Sequence, residues 1–397
     1  MNNKALENVT VLDLTRVLAG PYSTVMLAEF GANVIKIEIP GKGDDTRNMP
    51  PFKNGESMYF ANVNHDKKGI TLNLKDEQGK KIFLELVKKA DVVVENYRPG
   101  VMDKLGLGYD ALKEVNERII YAAVSGFGSY GPYSQRAGYD IIAQAAGGLM
   151  SITGTSDGQF TRAGNAMGDV LGGMNLTIGI LTALYARTIT GKGQRVDVSL
   201  VDSVVSSLET GTQRYFASGE DPVPLGIRYA AAYPYDGFCA KDGMLVIGCG
   251  NDKLFTKLCE AMGKTELLED ERYYTNPKRC ENFETLRVIV EDWTKNITID
   301  EAVDILTKAG VPASPINTIS RLVRDKHIAE AREMFVDLKH PIIGDMKVNG
   351  CPVKLLDTKA EIKQPAPSLG QNNKEIYSGF LGYSDEEINE FHLNGVI

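Results

Sequence analysis

The chain lacks a basic surplus, a paired-cysteine motif and a histidine cluster. Its 44 Lys and Arg stand against 52 Asp and Glu, giving a formal charge of −8. That acidic balance argues against nucleic acid as a partner, while a local basic patch can still meet a phosphorylated ligand. The four histidines, His65, His327, His340 and His392, show no metal-ligand spacing, so no metal site is expected. The five cysteines, Cys239, Cys249, Cys259, Cys280 and Cys351, are odd in number and form no C-x-x-C pair. They read as free thiols in a reducing compartment, and the expected location is cytoplasmic. The opening "MNNKALENVTVLD" has no signal-peptide core. The longest apolar run, residues 170–186, carries Asn175, Thr177 and Thr182, and reads as a buried helix rather than a membrane span. What remains is a soluble globular chain of 397 residues, 43% hydrophobic, able to bury a substantial core.

Its first half alternates strand and helix patterns. Residues 9–14, 33–39, 69–74, 91–95 and 119–124 read as strands, several of them rich in β-branched residues. Residues 22–30, 77–90 and 109–117 read as helices; Ile82, Leu86 and Ala90 recur every fourth residue in the second. Such alternation implies βαβ units and a largely parallel sheet, with ligands beyond the carboxyl ends of the strands. Those ends are "TRVLAGP", "EIPGKGDDTR", "ENYRPG" and "SGFGSYGPYS", all rich in Gly, Pro and polar residues. Residues 168–190 read as a long buried helix, and the polar, Pro-containing segment 217–226 as a linker. Beyond it lie a strand at 244–247 and helices at 253–262, 284–293 and 300–309.

The last of those strand ends contains a literal G-x-G-x-x-G at Gly126, Gly128 and Gly131. A dinucleotide fingerprint needs its third glycine to open a helix whose N-terminus meets the pyrophosphate. Here Gly138 breaks any helix within two turns, and no acidic ribose partner follows at the required distance. A dehydrogenase is therefore disfavoured. A glycine-rich loop of left-handed turns is the better reading.

Several blocks together resemble one family. "VLDLTRVLAGPYSTVMLAEFGANVIKIEIPGKGDDTR", "ADVVVENYRPGVMDKLGLGYD", "GYDIIAQAAGGLMSITG", "GDVLGGMNLTIGILTALYARTITGKGQRVDVSL" and "APSLGQNN" are similar, in order and spacing, to the class III CoA-transferases, the family of formyl-CoA transferase and crotonobetainyl-CoA transferase. The resemblance implies an α/β fold. Its large Rossmann-like domain has a parallel sheet built from both chain ends, and a smaller α+β domain lies in the middle. The implied division is 1–216 for the CoA-binding part, 217–226 for the linker, 227–325 for the small domain and 326–397 for the return. It also implies two subunits threaded through each other as an interlocked homodimer. Acyl-CoA and a small carboxylic acid are the expected partners, with coenzyme A as substrate and no tightly bound cofactor, nucleic acid or membrane.

Asp169 lies in "GNAMGDVLGG" among Gly164, Gly168, Gly172 and Gly173. Small neighbours admit a bulky thioester and leave backbone N–H groups for an oxyanion. A carboxylate can act as a covalent nucleophile, or Asp169 can cap the helix that follows. The resemblance implies the nucleophile. It also implies CoA contacts at Ala19, Leu72, Lys75, Asn96, Tyr97, Arg98 and Tyr139, and at Lys104, where the formyl-CoA enzyme carries arginine. Ile39 departs from an arginine near the adenine, leaving Lys36 or Arg98 as substitutes. α-Methylacyl-CoA racemases share the fold but pair the aspartate with a histidine in "G-H-D"; this chain has "GYD", with Tyr139 in that place. A phenol with an ordinary pKa of about 10 is a poor partner for proton transfer, so transfer is favoured. A non-catalytic acyl-CoA-binding protein is the other alternative. Arg47 and Arg228 are the candidates to hold the second carboxylate of a dicarboxylic acid.

Overall fold

The structure, a computed structural model, describes residues 4–397. The chain separates into two compact units. Met1–Met150, Arg162–Gly219 and Lys326–Ile397 form the first; Ser151–Thr161 and Glu220–Asp325 form the second. Residues 151–161 thus group with the small unit. A bridge between Gly154 and Phe160 folds them into a loop, and Gly226 N–H donates to Gly154 O at 3.1 Å.

The first unit is organised on six strands: β1 (Thr10–Asp13), β2 (Asn33–Glu38), β3 (Lys68–Thr71), β4 (Val92–Glu95), β5 (Ile120–Ser125) and β6 (Arg195–Ser199). All pair in parallel, in the order β3-β2-β1-β4-β5-β6. The chain direction across the sheet reverses between β1 and β4. That is the doubly wound arrangement, whose ligand crevice opens at the reversal. The strands read as near-continuous apolar runs because both faces are covered. Successive residues alternate between two cores: Val11, Val34 and Val94 face one, and Leu12, Ile35 and Val93 the other. On the second face lies α2 (Glu77–Lys88), whose Ile82, Phe83, Leu86 and Val87 are fully buried. On the first lie α1 (Ala19–Glu29) and the long α4 (Met167–Thr190), with α3 (Asp140–Ala146) and α5 (Leu200–Ser206) beside them.

Both chain ends contribute to this unit, but every strand of the parallel sheet comes from the N-terminal half, which corrects the expectation of a sheet built from both ends. The C-terminal segment seals the sheet instead. Asn372 Oδ1 accepts from Gly69 N–H at 2.9 Å and Asn373 Oδ1 from Thr71 N–H at 3.0 Å, so the outer edge of β3 is closed by side chains. The asparagine pair in "APSLGQNN" serves that purpose.

In the second unit the expected strand appears as Gly243–Gly248. It pairs antiparallel with Tyr235–Ala240 and Ala313–Pro315. The expected linker at 217–226 starts inside a helix, Gly211–Ser218, which Gly219 closes at φ 76°. Arg279 is fully buried and serves this unit's core: it donates to Tyr233 O at 2.8 Å and Tyr273 O at 2.9 Å.

The glycines of α4 explain how it packs. A Cβ on Gly173 would lie 2.6 Å from Ala19 O in α1, and one on Gly172 would lie 2.5 Å from Leu200 Cδ2 in α5. Gly→Ala in an exposed helix stabilises by about 1 kcal/mol. At Gly173 the sign is expected to reverse, because the new methyl meets backbone. Gly173→Ala should lower the thermal unfolding midpoint; a raised midpoint would show that α1 and α4 separate at little cost.

Candidate active site

The turn from β1 into α1 is held from four directions. Asp13 Oδ1 accepts from Thr15 N–H at 2.9 Å. Lys36 Nζ donates to Thr15 O at 2.9 Å. Asp44 Oδ1 accepts from Val17 N–H at 3.2 Å. Asn96, at the end of β4, clamps Arg16 by its backbone, accepting from its N–H at 2.8 Å and donating to its carbonyl at 2.6 Å. These contacts keep Val17 at φ 66°, a left-handed conformation that a β-branched residue rarely adopts. Beyond the turn lies a cavity of about 230 Å³ at the strand-order reversal. Its walls come from the ends of β1, β4 and β5, from Gly138 and Tyr139 ahead of α3, and from Asp169.

Asp169 is the third residue of α4 and does not cap it. The capping position is Ala166, which has no side-chain bond. Asp140 of α3 supplies the acceptor instead: its Oδ1 takes the Gly168 N–H at 2.8 Å. Its Oδ2 takes Gln144 Nε2 at 2.8 Å, and Gln144 Oε1 accepts from Ala163 N–H at 2.9 Å. The helix-cap role considered for Asp169 therefore belongs to Asp140, which lies 28 positions before the Gly168 N–H it accepts. The glycine nest is corrected too. The Gly168 N–H is already bonded, and Gly172 and Gly173 serve helix packing. Burial first, and then the nearby Asp140 carboxylate, push the Asp169 carboxyl up to about 7. Tyr59 is held up to about 12 by burial, with contributions from Asp169 and Asp140.

Ala19, Asn96, Tyr97, Arg98 and Tyr139 share the Asp169 cavity. Asn96 contributes by positioning, because its amide is engaged by Arg16. Tyr139 is 72% exposed at the rim. Other candidates lie elsewhere. Leu72 is buried in the sheet core, so its side chain has no free face for a ligand. Lys75 and Lys104 are exposed and do not line the cavity. Lys36 is fully buried against Asp44 at 2.9 Å, which removes it as a substitute contact to adenine. Arg47 is not available to an acid. Its Nε and Nη2 donate to Glu38 at 2.8 and 2.7 Å, Nη2 also reaches Pro367 O at 3.0 Å, and the guanidinium stacks 3.8 Å from the Phe60 ring. Arg228 belongs to the second unit, where it stacks 4.1 Å from Phe283.

The glycine loop carries no dinucleotide fingerprint. A Cβ on Gly126 would meet Gly138 Cα at 2.5 Å, Gly128 and Gly131 have φ of 80° and 85°, and the next helix begins only at Asp140. Sequence reasoning missed Arg16, Asp140, Ser125 and Tyr59. Arg16 and Ser125 stood in the strand-end segments, and Asp140 stood beside Tyr139; each position was the signal. Among the described residues no cluster of His, Cys, Asp or Glu is arranged to hold a metal.

The cavity thus places a carboxylate of raised basicity at the ligand crevice of a doubly wound sheet, with arginines on its walls. A family model described as CoA-transferase family III matches residues 6–373. The chain is 38% identical to a succinyl-CoA:glutarate CoA-transferase from Homo sapiens, covering 100% of this chain and 91% of that protein. It is 41% identical to an acetyl-CoA:oxalate CoA-transferase from Acetobacter aceti, covering 94% and 95%. A solved structure of a CAIB/BAIF family protein from Brucella suis superposes with a TM-score of 0.85 at 37% identity, covering 95% of this chain and 99% of that one. Matched along nearly its whole length in sequence and in fold, the chain belongs to CoA-transferase family III.

Proposed function

We propose that this protein moves CoA from an acyl-CoA thioester to a free dicarboxylic acid, with Asp169 as the covalent nucleophile. The observation that carries this is Asp169 itself: a carboxylate with no capping duty, at the ligand crevice, its pKa pushed up to about 7. Raised basicity makes a carboxylate a stronger nucleophile. Asp169 attacks the thioester carbonyl, the C–S bond breaks, and CoA leaves as thiolate from an acyl-aspartyl anhydride. The thiolate attacks the aspartyl carbonyl of that anhydride, which frees the donor acid and leaves an aspartyl-CoA thioester. The acceptor carboxylate then displaces the thiolate to give a second anhydride. Attack of the thiolate on its acyl carbon releases the new acyl-CoA and regenerates Asp169. A dicarboxylic acceptor is supported by two relatives named for glutarate and oxalate.

The reading extends to a homodimer of interlocked subunits in a reducing, cytoplasmic setting. The five free cysteines support the setting. The surface of α4 supports the dimer. Met174, Ile178, Tyr185 and Ile189 fall on one helical face and are 42–73% exposed. This helix is long and apolar enough to cross a membrane by length and composition. A second copy of the chain is the proposed cover for its face. Sedimentation should give a homodimer that persists on dilution; a folded monomer at nanomolar concentration would overturn the interlocked arrangement.

Asp169→Asn should retain the fold and CoA binding while losing transfer by at least about 10³-fold. With wild type and acyl-CoA, hydroxylamine should trap a hydroxamate at residue 169. Near-normal transfer by the Asn variant, its amide confirmed intact by mass spectrometry, would refute the covalent route. The raised carboxyl also has a stability consequence. It favours the fold fully below the ordinary carboxylate pKa of about 4, and that contribution is lost as pH rises through about 7. Asp169→Asn escapes the loss, so at pH 8 it should unfold at a higher temperature than wild type.

The reactive form is the ionised carboxylate, so kcat/KM for the thioester should rise as pH passes through about 7. Asp140→Asn keeps an acceptor for Gly168 N–H but removes a neighbouring charge. The rising limb should then move to lower pH. A limb that stays in place would show that burial alone sets the Asp169 pKa.

A further inference from the structure

Among the described residues four buried side-chain atoms lack a hydrogen-bond partner, and two of them, Arg16 Nε and Ser125 Oγ, belong to residues lining the Asp169 cavity. A buried donor left unmade costs about 1–3 kcal/mol, and more on a charged group. Native proteins leave such groups open where a ligand, water or ion completes them. Arg16 is also fixed in place. Asn96 clamps its backbone, Asp45 Oδ2 accepts from its Nη1 at 3.2 Å, and its guanidinium lies 5.4 Å from the Tyr97 ring centroid. The helix beginning at Ala19 has no side-chain cap at Leu18, so its partial positive charge adds to that of Arg16. Arg98 and Arg136, the other arginines of the cavity, are exposed.

We infer that Arg16 selects dicarboxylic acids, binding the distal carboxylate of an acid whose other carboxyl group reacts at Asp169. The inference rests on the covalent-transfer reading. In that cycle donor acid and acceptor acid occupy the cavity in turn, so one arginine reads both. At about 230 Å³ the cavity is smaller than a drug-sized site of about 300–1,000 Å³. It accommodates a small acid and the reactive end of a thioester. CoA phosphates offer the same anionic oxygens, and the experiment separates the two sources.

The test uses the full-length enzyme, one acyl-CoA donor, and glutarate and pentanoate as acceptors of equal chain length. For Arg16→Met the ratio of kcat/KM for glutarate to that for pentanoate should fall about 10–100-fold, the size expected for a lost charge-assisted bond. The fall should appear in KM for glutarate rather than in kcat. Calorimetry with free CoA should show no corresponding loss of affinity. Arg16→Lys keeps the charge without the planar fork, and should recover part of the ratio; it also serves as the test if the Met variant does not fold. Equal losses for both acids, or a loss that falls on free CoA, would overturn the assignment. Wild-type transfer to pentanoate but not to glutarate would overturn it too, while leaving the Asp169 mechanism standing. Failure to trap an adduct at Asp169 would instead strike the mechanism itself.

Discussion

A group of charges sealed from water beneath the β1–α1 turn sets the geometry of the cavity. The side chains of Asp13, Lys36, Asp44 and Lys67 are all fully buried. Burial opposes the charge on Asp13, yet Lys67 and Lys36 outweigh it and hold the carboxyl below its usual range. Lys67 is drawn down to about 8 by burial despite Asp13. Removing one member of a buried pair costs about 3–5 kcal/mol because the other is stranded. Such a cluster is a poor source of net stability but a strong source of definition. Lys36 takes the Thr15 carbonyl and Asp44 takes the Val17 N–H, so the same charges hold a residue whose backbone strain is about 1–3 kcal/mol. A neutral cluster would hold the backbone on either side of Arg16 with weaker bonds.

Asp169 feels opposing fields. Its place in the first turn of α4 favours the ionised form through the helix dipole. Burial and the Asp140 carboxylate favour the protonated form, and they prevail. Asp140 is anchored on the Gly168 N–H and Gln144, and from there its charge acts on Asp169. One residue thereby supplies the missing helix cap and raises the basicity of the Asp169 carboxylate. The cap fixes where the carboxylate stands, and the repulsion helps set how strongly it holds a proton.

Much of the fold was legible because its signals are local. Strands covered on both faces appear as apolar runs, and α2 shows its buried stripe at helical spacing. The site was legible only in part. The glycines around Asp169 looked like a cradle for substrate, but Gly168 is met by α3, Gly172 by α5 and Gly173 by α1, all distant in sequence. Arg47 and Arg16 carry the same group in similar polar segments. Only the fold shows that Glu38 and the Pro367 carbonyl engage the first, while one nitrogen of the second is left open. Sequence reports the presence of a guanidinium; its partners are a property of tertiary structure.

The same distinction explains why a sheet with dinucleotide-binding strand order need not bind a dinucleotide. In that use, a glycine in the first βα turn lets the backbone approach a pyrophosphate at the helix N-terminus. Here the turn is tightened by Val17 in the left-handed region, held by Asp44 and the Asn96 clamp on its neighbour. Side chains therefore project where a bare backbone would be needed, and Arg16 and Leu18 form part of the wall. The helix N-terminus is retained, and a guanidinium stands beside it in the cavity wall. A turn built this way presents side chains and a guanidinium, rather than bare backbone, to an anion entering the crevice.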